Sequence, residues 1–251
     1  WSSDVCSSDL LITAVFLHGS VLHLFFNACW IWLFGRLLER ELGPSRWLGL
    51  FLAGAWIGSV AELSVSGQLG IGLSGVVYAF FGYLFTNRHG HDDYRRVLSG
   101  STIRLMFGWI VACIPLTYFG LFRVANAAHF GGLAAGYLLG LAAQPHRWRT
   151  PARAACVLLG AMSLVLLFWC PWQEQWLGAQ AYGALTRHDD DRASKLLEKM
   201  IARNPGHSWA QEQWVRLQLR RKDYAAARDA LVRSVAIAED AGRLNALAWL
   251  L

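Results

Sequence analysis

Charged side chains are scarce in this 251-residue sequence: they make up 16% of its residues, whereas hydrophobic residues make up 55%. Such a composition is too apolar for an ordinary soluble domain. Several charge-free runs reach about 20 residues, the length that a helix needs to cross about 30 Å of hydrocarbon. The sequence therefore predicts a polytopic, all-α membrane protein, with helices near 21–38, 46–62, 74–87, 103–121, 127–144 and 153–171.

Metal-ligand spacings and basic stripes are also lacking. The five cysteines form no CxxC pair and do not indicate a disulfide framework, so we expect no metal site and no cofactor. The net charge of +6 is not gathered into a basic stripe with interleaved aromatic residues, which argues against nucleic-acid binding.

Arginines are concentrated in alternate short loops. Three follow the first predicted helix, four follow the third and three follow the fifth, whereas Arg123 stands alone on the opposite side. Because cytoplasmic loops carry an excess of Lys and Arg, we expect the arginine-rich loops to face the cytoplasm. This predicts a bacterial inner (plasma) membrane protein with its C-terminal domain outside. The active site formed by the polar residues described below would open to the outer face.

The third predicted helix, 74–87, is too short to cross a bilayer. A short helix is acceptable if it begins inside the membrane and the preceding loop lines a cavity. Gly67, Gly70, Gly72 and Gly75 cluster in and beside that loop.

Few polar side chains lie at membrane depth, where such groups are costly and usually functional. A lone serine such as Ser74 is usually a small packing residue. With His129 as a base it would instead be a catalytic nucleophile. The pair would be a Ser–His dyad and not a triad, because no acidic residue other than Glu62 lies in the outer half of any predicted helix. His23 and Asn27 share one helix face and could supply oxyanion donors together with the Ser74 N–H.

Supporting residues surround this predicted dyad. Tyr78 follows Ser74 by four residues, so its ring could hold the His129 ring. Gly75 on the third helix and Gly132 on the fifth would allow these helices to approach closely, although ordinary helix packing explains such glycines equally well.

Three motifs, in order, resemble the rhomboid family of intramembrane serine proteases. They are HxxxN at 23–27, GLSG at 72–75 with Tyr78, and AHFGGLAAG at 128–136, and GRLLERELG at 35–43 resembles a further family segment. The resemblance implies Ser74 as nucleophile, His129 as base, and an oxyanion site made by His23, Asn27 and the Ser74 amide. It also implies that the substrates are transmembrane proteins in the lipid bilayer.

The resemblance covers roughly residues 11–145, which we predict to be the membrane protease core. Residues 1–10 look non-native and uninformative, and we expect that the family's first core helix should precede residue 11. Residues 146–172 would form a linker and an extra transmembrane helix.

Residues 173–251 are charged and have helical periodicity. Ala193 and Ala227 are separated by about 34 residues, the period of tetratricopeptide repeats, and Asp223-Tyr224 precedes Ala227 as in those repeats. We predict a tetratricopeptide-like helical domain with a third repeat starting near Gly242, which would dock a protein partner. A generic helical hairpin is the alternative.

Two other functions are compatible with a membrane helix bundle. A catalytically inactive relative that binds and escorts membrane proteins would typically lack the serine or the histidine, and both are present. A transporter would suit the broken helix, but the sequence has neither an inverted repeat nor paired intramembrane charges.

Overall fold

The structure is a computed structural model that describes residues 10–145 and 147–237. Every regular element within these ranges is helical, which confirms the predicted all-α class. The chain divides into two compact units, Trp1–Trp169 and Cys170–Leu251. The predictions for residues 1–9 and for a third repeat near Gly242 fall outside the described residues.

The N-terminal unit is a bundle of membrane-type helices. Four stretches of its described residues are long and apolar enough to span a membrane: Val21–Leu42, Pro44–Ser66, Gly100–Tyr118 and Arg149–Phe168. The first of these contains a π-helical turn at Ile31–Gly35. The helices are α1 (Leu10–Thr13), α2 (Val21–Trp30), α3 (Arg36–Leu42), α4 (Pro44–Ser66), α5 (Ser74–Asn87), α6 (Asp92–Val97), α7 (Gly100–Tyr118), α8 (Asn126–Ala143) and α9 (Arg149–Phe168).

Local caps shift some helix boundaries from the predicted ones. Helix α7 begins slightly earlier than expected, because the Ser99 hydroxyl accepts a hydrogen bond from the Thr102 N–H at 3.2 Å. The helix ends at Tyr118, and Gly120 then adopts a φ of 70°, a conformation that favours glycine. The hydrophobic run alone predicted the helix, whereas the Ser99 cap and Gly120 determine where it begins and ends.

Helix α5 forms the centre of the bundle. It has 14 residues, almost all of them buried by neighbouring helices, including Phe80, Phe81 and Leu84. That length is too short to span the hydrocarbon core. A helix surrounded by protein does not need to match the bilayer thickness, so the short third helix is compatible with a membrane bundle.

Glycines bring α5 and α8 into backbone contact. A Cβ atom at Gly132 would lie 2.0 Å from the Gly75 carbonyl oxygen, and one at Gly136 would lie 1.8 Å from the Ala79 carbonyl oxygen. Neither position can hold a larger residue unless the helices separate. These two glycines therefore set the distance between the two helices.

Helix α9 packs against α4 and α8 along one side only. The Trp56 indole N–H donates a hydrogen bond to the buried Ser163 hydroxyl at 2.9 Å, which links α4 to α9. Val157, Leu158 and Phe168 are exposed on the protein, as expected of side chains that face lipid.

The C-terminal unit is a row of helices in which each helix packs on the next. Its core includes the fully buried Leu177, Ala193 and Leu197. The described helices are α10 (Glu174–Thr186), α11 (Asp190–Arg203), α12 (Ser208–Arg220) and α13 (Tyr224–Ile237).

Three structural features recur once in this unit at a spacing of about 34 residues, which is also the length of a tetratricopeptide repeat. Each of the two sets begins with a residue of positive φ. An aspartate follows, and its side chain accepts a hydrogen bond from the backbone N–H three residues later. An alanine with no exposed surface comes last. The corresponding pairs are His188 and Lys222, Asp189 and Asp223, and Ala193 and Ala227.

Candidate functional site

Ser74 and His129 meet where α5 and α8 begin. Ser74 is the first residue of α5 and is half-buried, whereas His129 is the fourth residue of α8 and is only 3% exposed. The Ser74 Oγ and His129 Nε2 atoms lie 2.9 Å apart, within hydrogen-bond distance. The close glycine packing of the two helices accounts for this short distance between residues that are far apart in the sequence.

Tyr78 lies one turn after Ser74 and stacks against the imidazole. The centroids of the Tyr78 and His129 rings are 4.8 Å apart, with an interplanar angle of 36°. The Tyr78 hydroxyl donates a hydrogen bond to the Met106 carbonyl oxygen at 2.9 Å, so the phenol is held at both ends. This contact restricts the rotation of the histidine ring.

His23 and Asn27 lie against the loop that leads to Ser74. Gly72 in that loop has a φ of 103°, and a Cβ atom there would lie 2.5 Å from His23 Cε1 and 3.4 Å from Asn27 Nδ2. Only glycine lets the loop approach these side chains so closely. The buried Asn27 Nδ2 has no hydrogen-bond partner within the described part of the chain, so it is available as a donor.

The Ser74 backbone supplies a further donor. The first N–H groups of a helix have no intrahelical acceptor, and Leu73, at the N-cap position, provides no side-chain cap. The Ser74 N–H thus directly follows the loop against which the Asn27 amide and the His23 ring pack.

A small cavity of about 10 Å³ lies beside Ser74. This volume is close to the least that holds one water molecule. Small side chains and glycines dominate its lining. The lining residues are Val15, Gly54, Ala55, Gly58, Ser59, Gly70, Ile71, Gly72, Ser74, Gly75, Ala125 and Ala128.

The sequence indicated some of the other side chains around the site and missed others. His18 Nδ1 lies 3.0 Å from the Phe16 carbonyl oxygen in the loop before α2, a local contact. The Asn126 amide donates to the Thr117 hydroxyl at 2.9 Å and ties the start of α8 to the end of α7. The Glu62 carboxylate bonds to the backbone at the start of α8, which we did not predict. Its only sequence signal is an isolated acidic residue at membrane depth.

The arrangement suits nucleophilic chemistry without a metal ligand set. A serine hydroxyl paired with an imidazole can attack a carbonyl carbon once the imidazole takes its proton. Among residues 10–145 and 147–237, no group of three His, Cys, Asp or Glu side chains could hold a metal ion. His129 Nδ1 is buried and has no hydrogen-bond partner among these residues, so no described carboxylate orients the ring as a third group.

Comparisons with known proteins match the part of the chain that contains these residues. A family profile described as "Rhomboid domain" matches residues 8–146. The chain is 35% identical over 138 residues to "Rhomboid protease GlpG" from Serratia proteamaculans, which covers 54% of this chain and 48% of that protein. The protein of the same name from Pectobacterium atrosepticum is 36% identical over 125 residues, covering 49% and 44% of the two chains.

A third relative extends the match further. "Rhomboid protease GlpG" from Photorhabdus laumondii is 32% identical over 160 residues, which covers 61% of this chain and 54% of that protein. The chain thus spans about half the length of the curated relatives that it matches. Since the family profile covers more than half of the chain and includes every residue of the candidate site, the chain belongs to the rhomboid family.

Proposed function

We propose that this protein is an intramembrane serine protease that cleaves transmembrane segments of membrane proteins with a Ser74–His129 dyad. The observation that carries the proposal is the 2.9 Å distance between Ser74 Oγ and His129 Nε2. Membership in the rhomboid family supports the same activity, and so do the three relatives described above, each of which is named "Rhomboid protease GlpG".

In the proposed reaction, His129 Nε2 takes the proton of the Ser74 hydroxyl as Oγ attacks the scissile carbonyl carbon. The carbonyl oxygen becomes an oxyanion, which the Ser74 N–H, the Asn27 amide and the His23 ring stabilise. One such donor contributes about 10²–10³ in rate, and general-base catalysis contributes about 10²–10⁴. His129 then protonates the leaving amine, and water hydrolyses the resulting acyl-enzyme by the reverse sequence of proton transfers.

The substrate class follows from the position of the dyad in a membrane bundle. A peptide bond inside an intact helix is shielded by its own hydrogen bonds, so a substrate segment must unwind locally before Ser74 can reach it.

A serine-directed fluorophosphonate tests the dyad directly. The full-length protein in proteoliposomes should be labelled, and the Ser74→Ala variant should not be. The His129→Ala variant should label at least about 10²-fold more slowly, because the hydroxyl loses its base. Equal labelling of the wild type and Ser74→Ala would contradict the proposal.

The alternative is a catalytically inactive rhomboid-like protein that binds and escorts membrane proteins. The hydrogen-bonded Ser74 and His129 pair favours the protease, because binding alone does not require a nucleophile next to a base. An escort protein would retain substrate binding in the Ser74→Ala variant and would show no cleavage in the wild type.

We further propose that the C-terminal unit is a tetratricopeptide-like docking module for a protein partner, outside a bacterial inner membrane. The matching φ values, aspartate caps and buried alanines of its successive helical pairs support the repeat assignment. The arginine-rich loops support the orientation.

A cysteine at the exposed Ser208 reports the side of the membrane. In intact cells, a membrane-impermeant maleimide should label Ser208→Cys more strongly than the unsubstituted protein, whose own cysteines set the background. Labelling that requires permeabilisation would assign the C-terminal unit to the cytoplasm.

A further inference from the structure

Glu62 is an acidic side chain buried within the membrane unit. It lies near the end of α4 and is only 8% exposed. Burial of a carboxylate is unfavourable unless hydrogen bonds or an opposite charge compensate it. No Lys, Arg or His within the described ranges forms an ion pair with it, so its hydrogen bonds must provide the compensation.

These hydrogen bonds come from the start of α8. Glu62 Oε2 accepts from the Ala127 N–H at 3.0 Å and from the Ala128 N–H at 3.3 Å. Both amides belong to the first turn of α8, where helical N–H groups have no intrahelical acceptor. The N-cap residue, Ala125, has no side chain that could accept them.

Glu62 thus serves as an N-terminal cap supplied by a different helix, from a distant part of the sequence. A carboxylate suits this position, because the N-terminus of a helix carries a partial positive charge. Charge-assisted hydrogen bonds to backbone N–H groups are also stronger than those to a neutral oxygen.

The neighbouring loop confines this carboxylate. A Cβ atom at Gly70 would lie 3.2 Å from Glu62 Cγ and 3.0 Å from the Ala125 Cβ, so the loop packs closely on both. His129 directly follows the two amides that Glu62 binds. Its own N–H bonds to the Ala125 carbonyl oxygen at 3.3 Å. This distance is long for such a bond and provides weak local support.

We propose that Glu62 is a positioning residue, which fixes the first turn of α8 and thereby holds His129 Nε2 against Ser74 Oγ. It acts through the α8 backbone and does not touch the reacting atoms. This inference rests on the proposed function of Ser74 and His129.

Three variants separate the contributions of Glu62. Glu62→Gln keeps an oxygen that can accept both N–H groups and should lower kcat by no more than about threefold. Glu62→Ala removes the acceptor, frees the first turn, and should lower kcat by about 10- to 100-fold, because a misplacement of about 1 Å costs on this order. Glu62→Asp keeps the charge but is one methylene shorter, and it should also lose kcat. KM should stay within about twofold in all three, because Glu62 does not contact substrate.

Kinetics of the full-length protein in nanodiscs give the kcat and KM values. Ser66→Ala is the matched control, because its hydroxyl donates to the backbone carbonyls of Glu62 and Gln68 at the same end of α4 and does not cap α8, so both constants should be unchanged. Unchanged kcat in Glu62→Ala and Glu62→Asp would overturn the proposal. Equal losses of kcat in Glu62→Gln and Glu62→Ala would also overturn it. Glu62→Gln keeps the acceptor oxygen, so a cap predicts that this variant retains activity that Glu62→Ala loses. If Glu62→Ala does not fold, the comparison of Glu62→Asp with Glu62→Gln decides.

Amide hydrogen exchange tests the cap without any activity. Exchange of the segment containing Ala127 and Ala128 should rise at least about tenfold in Glu62→Ala and stay near the wild-type rate in Ser66→Ala. Unchanged exchange in Glu62→Ala would show that the carboxylate does not hold this turn. Failure of the fluorophosphonate to label Ser74 would instead refute the proposed function, and the exchange experiment would still report on the cap.

Discussion

Substitution of Gly132 by alanine should separate α5 from α8 and break the Ser74–His129 pair. The added Cβ atom would lie 2.0 Å from the Gly75 carbonyl oxygen and 2.8 Å from the Gly75 carbonyl carbon. Real Cβ atoms essentially never come closer than 3.0 Å to such a neighbour. Because backbone atoms are in contact on both sides, no side chain can move away to make room.

The helices must therefore move apart by about 1 Å at this level to restore a van der Waals distance. Gly132 is one turn from His129, and Gly75 adjoins Ser74, so the displacement occurs at the dyad itself. The distance between Ser74 Oγ and His129 Nε2 would increase from 2.9 Å to about 4 Å, beyond hydrogen-bond reach.

We expect the cleavage rate to fall by about 10²-fold or more, since a misplacement of about 1 Å costs on this order and the general base itself contributes about 10²–10⁴. Overpacking should also lower the free energy of unfolding by about 1–3 kcal/mol. Initial rates on a fluorogenic transmembrane peptide in proteoliposomes, with thermal unfolding measured in parallel, would report both effects.

Gly160→Ala is the matched control, because a Cβ atom on α9 at this position meets nothing within 4 Å. It should leave the rate unchanged and should not lower the stability, because alanine is favoured over glycine inside a helix. A wild-type cleavage rate in Gly132→Ala would refute the reasoning, because α5 and α8 would then tolerate the methyl group without disturbing the dyad.

Further predictions concern the same site and the second unit. Ser74→Ala and His129→Ala should each abolish peptide cleavage, and the double variant should be no worse than either alone, because the two side chains act as one unit. Tyr78→Phe should lose the hydrogen bond to the Met106 carbonyl, lowering stability by about 1–3 kcal/mol in thermal unfolding. Leu197→Ala should destabilise the C-terminal unit by about 2–5 kcal/mol in denaturant titrations, without changing the cleavage rate.

The sequence predicted the fold class and the helices well because hydrophobic runs are local signals. The run around α7 located that helix to within one turn, and its ends were missed because Ser99 acts through a side-chain cap and Gly120 through its backbone conformation. The motifs around Ser74 and His129 also named two residues that the structure brings to 2.9 Å.

Contacts between distant helices were not predictable in the same way. The bond from Glu62 to the start of α8 joins two distant parts of the sequence, and neither end carries a local pattern that predicts the other. The hydrogen bond from Trp56 to Ser163 is similar, since a serine in an apolar helix is equally compatible with a bond to its own backbone. Such pairs are fixed by tertiary packing, which composition and periodicity do not encode.

The short length of α5 also determines how deep Ser74 would lie in the membrane. The helix measures about 21 Å along its axis, and on the proposed topology Arg88, which directly follows, lies at the headgroup region at its far end. In a hydrocarbon core of about 30 Å, Ser74 then lies about 9 Å below the opposite surface. A substrate helix rises about 1.5 Å per residue, so the bond level with Ser74 is about six residues inside that surface. Bilayer thickness should therefore act as a ruler that selects the bond to be cut, and a thicker bilayer should shift the cut toward residues deeper in the substrate's apolar segment.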